Sequence, residues 1–225
     1  MKLNNKRTIL VGLAFLSICA FWQMYDSIVP LILTKTFHMN ETFSGAIMAA
    51  DNILALFLLP FFGSVSDKSH TKIGKRMPFI LFGTGCAIIL MNILPLLDNS
   101  YAAQPSGFKT ASFVIVLGLL LVAMGTYRAP AVALMPDVTP KPLRSRANAI
   151  INLMGAVGGI LYLGVAAVLY PNSKTAGLDH VNYQPLFIVV SAIMFVAVAV
   201  LFLTIREPKL TAENQALEKQ HPEWN

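Results

Sequence analysis

The sequence predicts an all-α membrane protein with six transmembrane helices. Hydrophobic residues make up 56% of the chain and charged residues only 12%, about half of the charged fraction that is usual for soluble domains. The apolar residues form long continuous runs, whereas a membrane β-barrel would show alternating segments of about ten residues. One water-soluble core could not hide so many runs, but a lipid bilayer solvates them directly.

Each predicted span is close to the roughly 20 residues that cross about 30 Å of hydrocarbon, and the longer ones are expected to tilt or bend. The spans cover approximately residues 9–33, 43–63, 78–97, 111–136, 145–170 and 186–205. They form one predicted membrane domain, residues 1–205, followed by a polar tail, residues 206–225, that is expected to be a solvated linker or a short surface helix. Prolines that are expected to bend spans are Pro30, Pro60, Pro95 and Pro130.

The basic residues are strongly biased towards one set of alternating links. All but three of the 17 Lys and Arg residues lie in or beside residues 1–8, 64–77, 128–146 and 206–225. The exceptions are Lys35, Lys109 and Lys174. Because basic links stay in the cytoplasm, the bias predicts that both termini are cytoplasmic. The net charge of +6 therefore reflects membrane topology and does not indicate binding to nucleic acid.

The link between spans 2 and 3 is dense in charge and is a candidate gate. Its acidic residue, Asp67, can accept hydrogen bonds from a cation or a helix N-terminus. Its Lys and Arg side chains can bridge to Asp137, the acid that follows span 4. We expect such bridges to hold the cytoplasmic side closed and to break when it opens. The alternative is that these cations only set topology and contact anionic lipid. The candidate gating residues are Gly63, Asp67, Lys68, Gly74, Arg76 and Asp137.

Three charged residues fall well inside predicted spans, away from their ends, where a charge costs about 2.5–3.5 kcal/mol and so usually faces protein or water. Asp26 in span 1 and Asp51 in span 2 are predicted at a similar depth from the outer side. Such a pair can bind Na⁺ or share a proton, although either residue can instead be capped locally. Arg128 in span 4 is predicted too deep to pair directly with them, and it faces either a cavity or the cytoplasmic surface.

Aromatic and polar side chains surround Asp26, as sugar sites require: a ring to lie against the sugar, and polar groups to bond its hydroxyls. Trp and Tyr are also common at membrane interfaces, and an Asn in span 5 can serve packing instead. The candidate substrate-binding residues are Trp22, Gln23, Tyr25, Arg128 and Asn152.

The sequence shows no catalytic motif. It lacks Gly-x-Ser-x-Gly, a Walker loop, His-Glu-x-x-His and Cys-x-x-Cys. Its four histidines form no metal-ligand pair. We therefore expect no enzyme activity and no cofactor, the only ion being a coupling H⁺ or Na⁺.

Two of these loops resemble the major facilitator superfamily. They are the Gly-x-x-x-Asp-Lys…Gly-Lys-Arg loop after span 2 and the Met135-Pro-Asp137…Arg144-Ser-Arg146 loop after span 4. The first loop, from Ser66 to Phe79, is similar to that of the glycoside–pentoside–hexuronide cation symporters and their sucrose-transporter-like relatives, which reads Ser-Asp-x-x-x-Thr-x-x-Gly-Arg-x-x-Pro-(Phe/Trp).

One position departs from those relatives. They carry an Arg in span 4 five residues before the loop Asp, where this sequence has Val132, and Arg128 lies one turn earlier. The departure weakens the case for sucrose itself as the substrate.

The resemblance implies the N-terminal half of a twelve-span transporter, built as a 3+3 inverted repeat. A second six-helix half, in the same polypeptide or in a dimer, would complete it. The implied function is cation-coupled symport of a sugar or glycoside across the cytoplasmic membrane by alternating access. Two alternatives remain open: a proton-coupled exporter of drugs or metabolites with the same fold, and a non-transporting membrane assembly partner.

Overall fold

A computed structural model describes residues 3–178 and 180–224, apart from the side chains of Asn172 and Lys174. The described residues form helices and no strand, and six helices are long and apolar enough to cross a membrane, which confirms the predicted six-helix fold. These are α1 (Asn5–Leu31), α2 (Glu41–Lys68), α3 (Met77–Ala103), α4 (Gly107–Asp137), α5 (Arg144–Leu169) and α6 (Gln184–Thr204). The tail forms a further helix, α7 (Glu207–Gln220).

Prolines interrupt the hydrogen bonding of four spans. Pro30 lies near the end of α1, and the chain continues from there as a π-helical segment, Ile32–Thr36. The ring of proline removes a backbone donor, which favours such a change of helix type. The hydroxyl of Thr34 donates to the Pro30 carbonyl at 2.8 Å. Pro60, Pro95 and Pro130 lie inside α2, α3 and α4.

Helix α1 is the centre of the bundle. Of the 18 residues in its most apolar stretch, 61% are buried, whereas no residue in the corresponding stretch of α2 is buried. The closest approach is between α1 and α5, where a Cβ on Gly158 would overlap the Leu16 backbone. Because glycine has no side chain there, the two backbones meet directly, as is common for small residues in membrane helices.

Buried hydroxyl and amide groups join the other spans. The Tyr127 hydroxyl of α4 donates to the Ala14 carbonyl of α1 at 3.0 Å and hydrogen-bonds Ser17. On the outer flank, Asn92 of α3 donates to the hydroxyl of Ser191 on α6. These bonds satisfy polar groups that lipid would leave unpaired.

Helix α3 is capped by a residue from the tail. Glu207 is the first residue of α7 and is 1% exposed. Its carboxylate accepts hydrogen bonds from the backbone N–H groups of Lys75, Arg76 and Met77 at 2.8–3.2 Å. A carboxylate at this position satisfies orphan donors and complements the positive end of the α3 dipole.

Gly74 makes room for this cap. Its φ of +123° lies in the region that L side chains rarely adopt, and a Cβ there would overlap the Glu207 carboxylate. The link between α2 and α3 therefore needs glycine at this position for two independent reasons.

Two further contacts hold α7 against the bundle. Asn214 donates to the carbonyls of Asp137 and Thr139 at 3.2 and 3.4 Å. Arg144 donates to the Glu218 carboxylate at 2.9 Å. Together with Glu207, these contacts join the link after α2, the link after α4 and the tail on one face of the bundle, here called the basic face.

The opposite face is tied together by side chains from other links. The Thr36 hydroxyl lies 3.2 Å from Nδ1 of His180. Nε2 of the same ring lies 2.9 Å from the side-chain oxygen of Asn99. Nearby, burial raises the pKa of Tyr183, and the charge of Asp98 adds to that shift.

We predict that Gly158→Ala lowers the free energy of unfolding by about 1–3 kcal/mol, because the new methyl group meets helix backbone that cannot yield. Alanine is otherwise the better helix former by about 1 kcal/mol. Gly164→Ala on the same helix is the control, since nothing lies within 4 Å of its Cβ position. Thermal unfolding in detergent measures both variants, and equal midpoints would contradict the backbone contact.

We predict that Glu207→Gln loosens α7, because an amide nitrogen replaces one of two acceptor oxygens facing backbone donors. A loss of about 1–3 kcal/mol corresponds to roughly tenfold or faster amide hydrogen exchange in residues 207–220. Glu213→Gln is the control, as its carboxylate is half exposed and makes only a 3.9 Å contact with Lys209. Unchanged exchange in Glu207→Gln would show that the cap does not hold the helix.

Candidate functional site

A charged side chain from each of two spans and an aromatic ring from a third border one cleft between α1, α2 and α4. Trp22, Asp51 and Arg128 line it, and the space it encloses is about 20 Å³, room for about one water molecule in this conformation. The remaining wall is apolar and consists of Leu54, Ala55, Leu58, Leu59, Leu121 and Gly125. A charged acid and a charged base in a largely apolar cleft can orient a polar solute.

Arg128 stacks on the aromatic residue of the cleft. Its guanidinium lies 5.5 Å from the centre of the Trp22 ring, within the range of a cation–π contact. No ion pair joins Arg128 to Asp26 or Asp51 among the described residues, yet Arg128 and Asp51 border the same cleft. The predicted difference in depth therefore does not prevent one solute from contacting both.

Asp26 lies beside this cleft without lining it. Its side chain is exposed, Asp51 is half-buried, and the two carboxylates are close enough to interact electrostatically. Tyr25 is fully buried within reach of both charges. The Tyr25 hydroxyl and the Trp22 indole nitrogen have no hydrogen-bond partner in the described chain. Both donor atoms are buried, so each carries the cost of an unmade hydrogen bond in this conformation.

The remaining candidate substrate residues lie outside the cleft. Gln23 is half-buried on α1, and its side-chain oxygen comes near Gly159 of α5. Asn152 is exposed on α5, as is Asn148 one turn earlier. The structure thus groups Trp22 with Arg128 and Asp51, and leaves Asn152 outside this cleft.

The link between α2 and α3 is organised around Arg76. Its guanidinium donates to Asp137 at 2.9 Å and also bonds Asp67 and the Ser66 hydroxyl. Lys75 lies 3.1 Å from the same Asp137 carboxylate. Arg76 is only 5% exposed, so its charge is compensated by two acids and a hydroxyl instead of by water.

Other candidate gating residues have different places in the structure. Gly63 contributes its carbonyl, which accepts from Arg76 at 3.3 Å, and no neighbour lies within 4 Å of its Cβ position. Among the described residues, no helix therefore packs closely against Gly63. Lys68 is exposed and has no ion pair among the described residues.

These bridges lie within one six-helix body. Asp67, Arg76 and Asp137 all belong to this bundle, so rigid-body rocking of the bundle against a partner need not break them. That the bridges open during gating stays a prediction. They shape the loop, and they leave the Asp67 side chain 56% exposed for a further contact.

Sequence reasoning missed Glu207. Its sequence context, Arg-Glu-Pro-Lys, does indicate a helix start, because proline is favoured in the first helical turn. No local pattern indicates that the carboxylate would cap another helix more than 130 residues earlier in the chain.

The chain is similar in sequence to several transport proteins. It is 34% identical to the sucrose transport protein SUC3 of Arabidopsis thaliana over 65% of this chain and 26% of the relative. It is 34% identical to the sucrose transport protein SUT3 of Oryza sativa subsp. indica over 62% of this chain and 30% of the relative. It is 25% identical to the alpha-ketoglutarate permease of Escherichia coli over 78% of this chain and 38% of the relative.

The matched part therefore spans between about a quarter and two fifths of the length of these relatives. The profile of the Major Facilitator Superfamily matches residues 11–224, nearly the whole chain. The chain belongs to the Major Facilitator Superfamily, a family of membrane transporters.

Proposed function

We propose that this chain is one six-helix half of a secondary transporter that moves a sugar or glycoside across the cytoplasmic membrane, coupled to H⁺ or Na⁺. The observation that carries the proposal is the cleft in which Trp22, Asp51 and Arg128 meet. In the proposed topology the basic face lies in the cytoplasm, because most Lys and Arg residues are on that side.

The chemistry of the cleft suits a neutral polyol. A sugar offers an apolar ring face for Trp22 and hydroxyls that both donate and accept. Arg128 can donate to such hydroxyls and Asp51 can accept from them. Sucrose transport by the plant relatives, as their names state, agrees with this substrate class.

A dicarboxylate fits less well, although one relative is named an alpha-ketoglutarate permease. Two carboxylates, Asp26 and Asp51, accompany the single cation Arg128. A doubly charged anion would meet a site whose own side chains already sum to a negative charge. Phosphate or carboxylate recognition usually employs an excess of Arg or Lys.

Asp26 and Asp51 are the proposed coupling residues. They interact electrostatically on adjacent helices, and one is exposed beside the cleft while the other borders it. A cation between them would lower their mutual repulsion, and a proton on either one would do the same. Both ions therefore fit, and the pair links cation binding to a cleft that holds substrate.

A second six-helix body is proposed to cover the exposed polar side chains. Asp26, Asn148 and Asn152 are exposed on this bundle, and such groups are costly against hydrocarbon. The partner would enclose them with water and provide the surface against which this body rocks. It is either a further part of the same polypeptide or a second copy.

A proton-coupled exporter of apolar drugs or metabolites is the second candidate. The leucine-rich wall of the cleft favours it, since Leu54, Leu58, Leu59 and Leu121 offer no hydrogen bond to a sugar. The transport test below therefore measures both the uptake of a sugar and the proton-driven movement of a drug.

We predict that single copies of this chain do not accumulate sugar. Proteoliposomes are prepared at two protein densities, at which cross-linking shows only monomers or mainly pairs. Uptake of labelled sucrose or melibiose against a gradient is expected only where the chain is paired, because alternating access needs two bodies. Concentrative uptake by monomers would defeat the half-transporter proposal, and proton-driven movement of a drug instead of sugar would favour the second candidate.

We predict that Asp26→Asn abolishes cation-driven accumulation of sugar in the active assembly, while exchange of internal for external sugar continues. The amide keeps the shape of the side chain but cannot carry the coupling charge. Glu41→Gln is the matched control, since it removes an exposed carboxylate at the start of α2 away from the cleft. Undiminished accumulation by Asp26→Asn would exclude this residue from coupling.

A further inference from the structure

A groove on the basic face combines three cations with an apolar floor. It lies where the link after α2 meets the end of α6 and the start of α7, and its volume is about 350 Å³. Lys72, Arg206 and Lys209 contribute the charges, and the floor includes Ile73, Phe202 and Pro208.

The cations of this groove are poorly neutralised. Lys72 and Arg206 have no ion pair among the described residues, and Lys209 makes only a 3.9 Å contact with Glu213, which is half exposed. Glu207 is next to Arg206 in sequence, but its carboxylate is buried and occupied by the backbone of α3. The groove therefore carries three cations against the one weak contact with Glu213, which leaves an excess of positive charge.

The groove also lies at the edge of the lipid. Leu203 and Phe202 occupy the last turn of the α6 span and are 78% and 39% exposed. Arg206 follows within one further turn. Apolar side chains that face lipid tails thus lead directly into a cluster of cations at headgroup level.

We propose that this groove binds the headgroup of an anionic phospholipid. The phosphate would lie among Lys72, Arg206 and Lys209, and the acyl chains would descend along Phe202 and Leu203. Each basic residue near an anionic membrane surface contributes favourably to such binding. A soluble phosphate would gain the charge contacts but not the apolar ones, so the combination of the two selects lipid.

The bound lipid would bridge the same two elements that Glu207 joins. Lys72 belongs to the link after α2, whereas Arg206 and Lys209 belong to the tail. A ligand that binds across two elements stabilises their joined arrangement by mass action. This site is independent of the cleft and of the transported solute.

The test measures thermal unfolding of the purified chain in detergent micelles doped with palmitoyl-oleoyl phosphatidylglycerol or, separately, with the matching phosphatidylcholine. Phosphatidylglycerol is expected to raise the midpoint by about 5 °C, and phosphatidylcholine to leave it nearly unchanged. Raising the salt concentration from 50 to 500 mM is expected to shrink the shift, because the charge contacts are partly screened.

The combined variant Lys72→Gln, Arg206→Gln and Lys209→Gln is expected to lose most of this shift. The control combines Lys6→Gln, Arg146→Gln and Lys219→Gln, which removes the same charges from exposed positions of the basic face outside the groove. It is expected to keep the shift. Comparing lipid-induced shifts within each variant removes any difference in their midpoints without lipid.

Three outcomes would overturn the proposal. They are an undiminished shift in the groove variant, an equal loss in the control variant, and an equal rise of the midpoint with phosphatidylcholine. An equal rise with inorganic phosphate or glycerol phosphate would identify a soluble anion as the ligand and would also overturn the lipid assignment.

Discussion

The structure depends on one constraint, which is that charged groups cannot face hydrocarbon without a partner. Only three charged side chains fall well inside the predicted spans, away from their ends, and the bundle gathers Asp51 and Arg128 at one cleft with Asp26 beside it. The other ionised groups are placed at the two faces. Charge is therefore concentrated in two regions, the cleft between α1, α2 and α4 and the basic face.

The ion pairs and hydrogen bonds of the basic face connect the ends of three spans and the tail helix. Arg76 joins the ends of α2, α3 and α4 through Asp67 and Asp137, and Glu207 adds the tail by capping α3. Because every partner belongs to the same bundle, the connected helix ends can move together. The exposed side of Asp67 and the cationic groove remain available for contacts outside the bundle.

The helices of the bundle differ in how tightly they pack. At Gly158 the backbones of α1 and α5 are in direct contact. Helix α2, in contrast, buries no residue of its most apolar 18-residue stretch in the bundle. The bundle thus presents a firm interior and one weakly packed helix that carries Asp51, the residue that links the proposed ion pair to the cleft.

The sequence by itself determined the fold class, because six apolar runs of bilayer length leave only helices as the stable structure. It also indicated the charged residues of the spans and the ion pairs of Arg76 with acidic partners, since both follow from the cost of isolated charge. Only the tertiary structure decided which of these charges share a cleft, since the depth of Arg128 depends on helix tilt and rotation. It alone decided that Glu207 caps α3, because that contact joins segments far apart in sequence. Local patterns record the need for a partner, whereas packing selects which partner meets it.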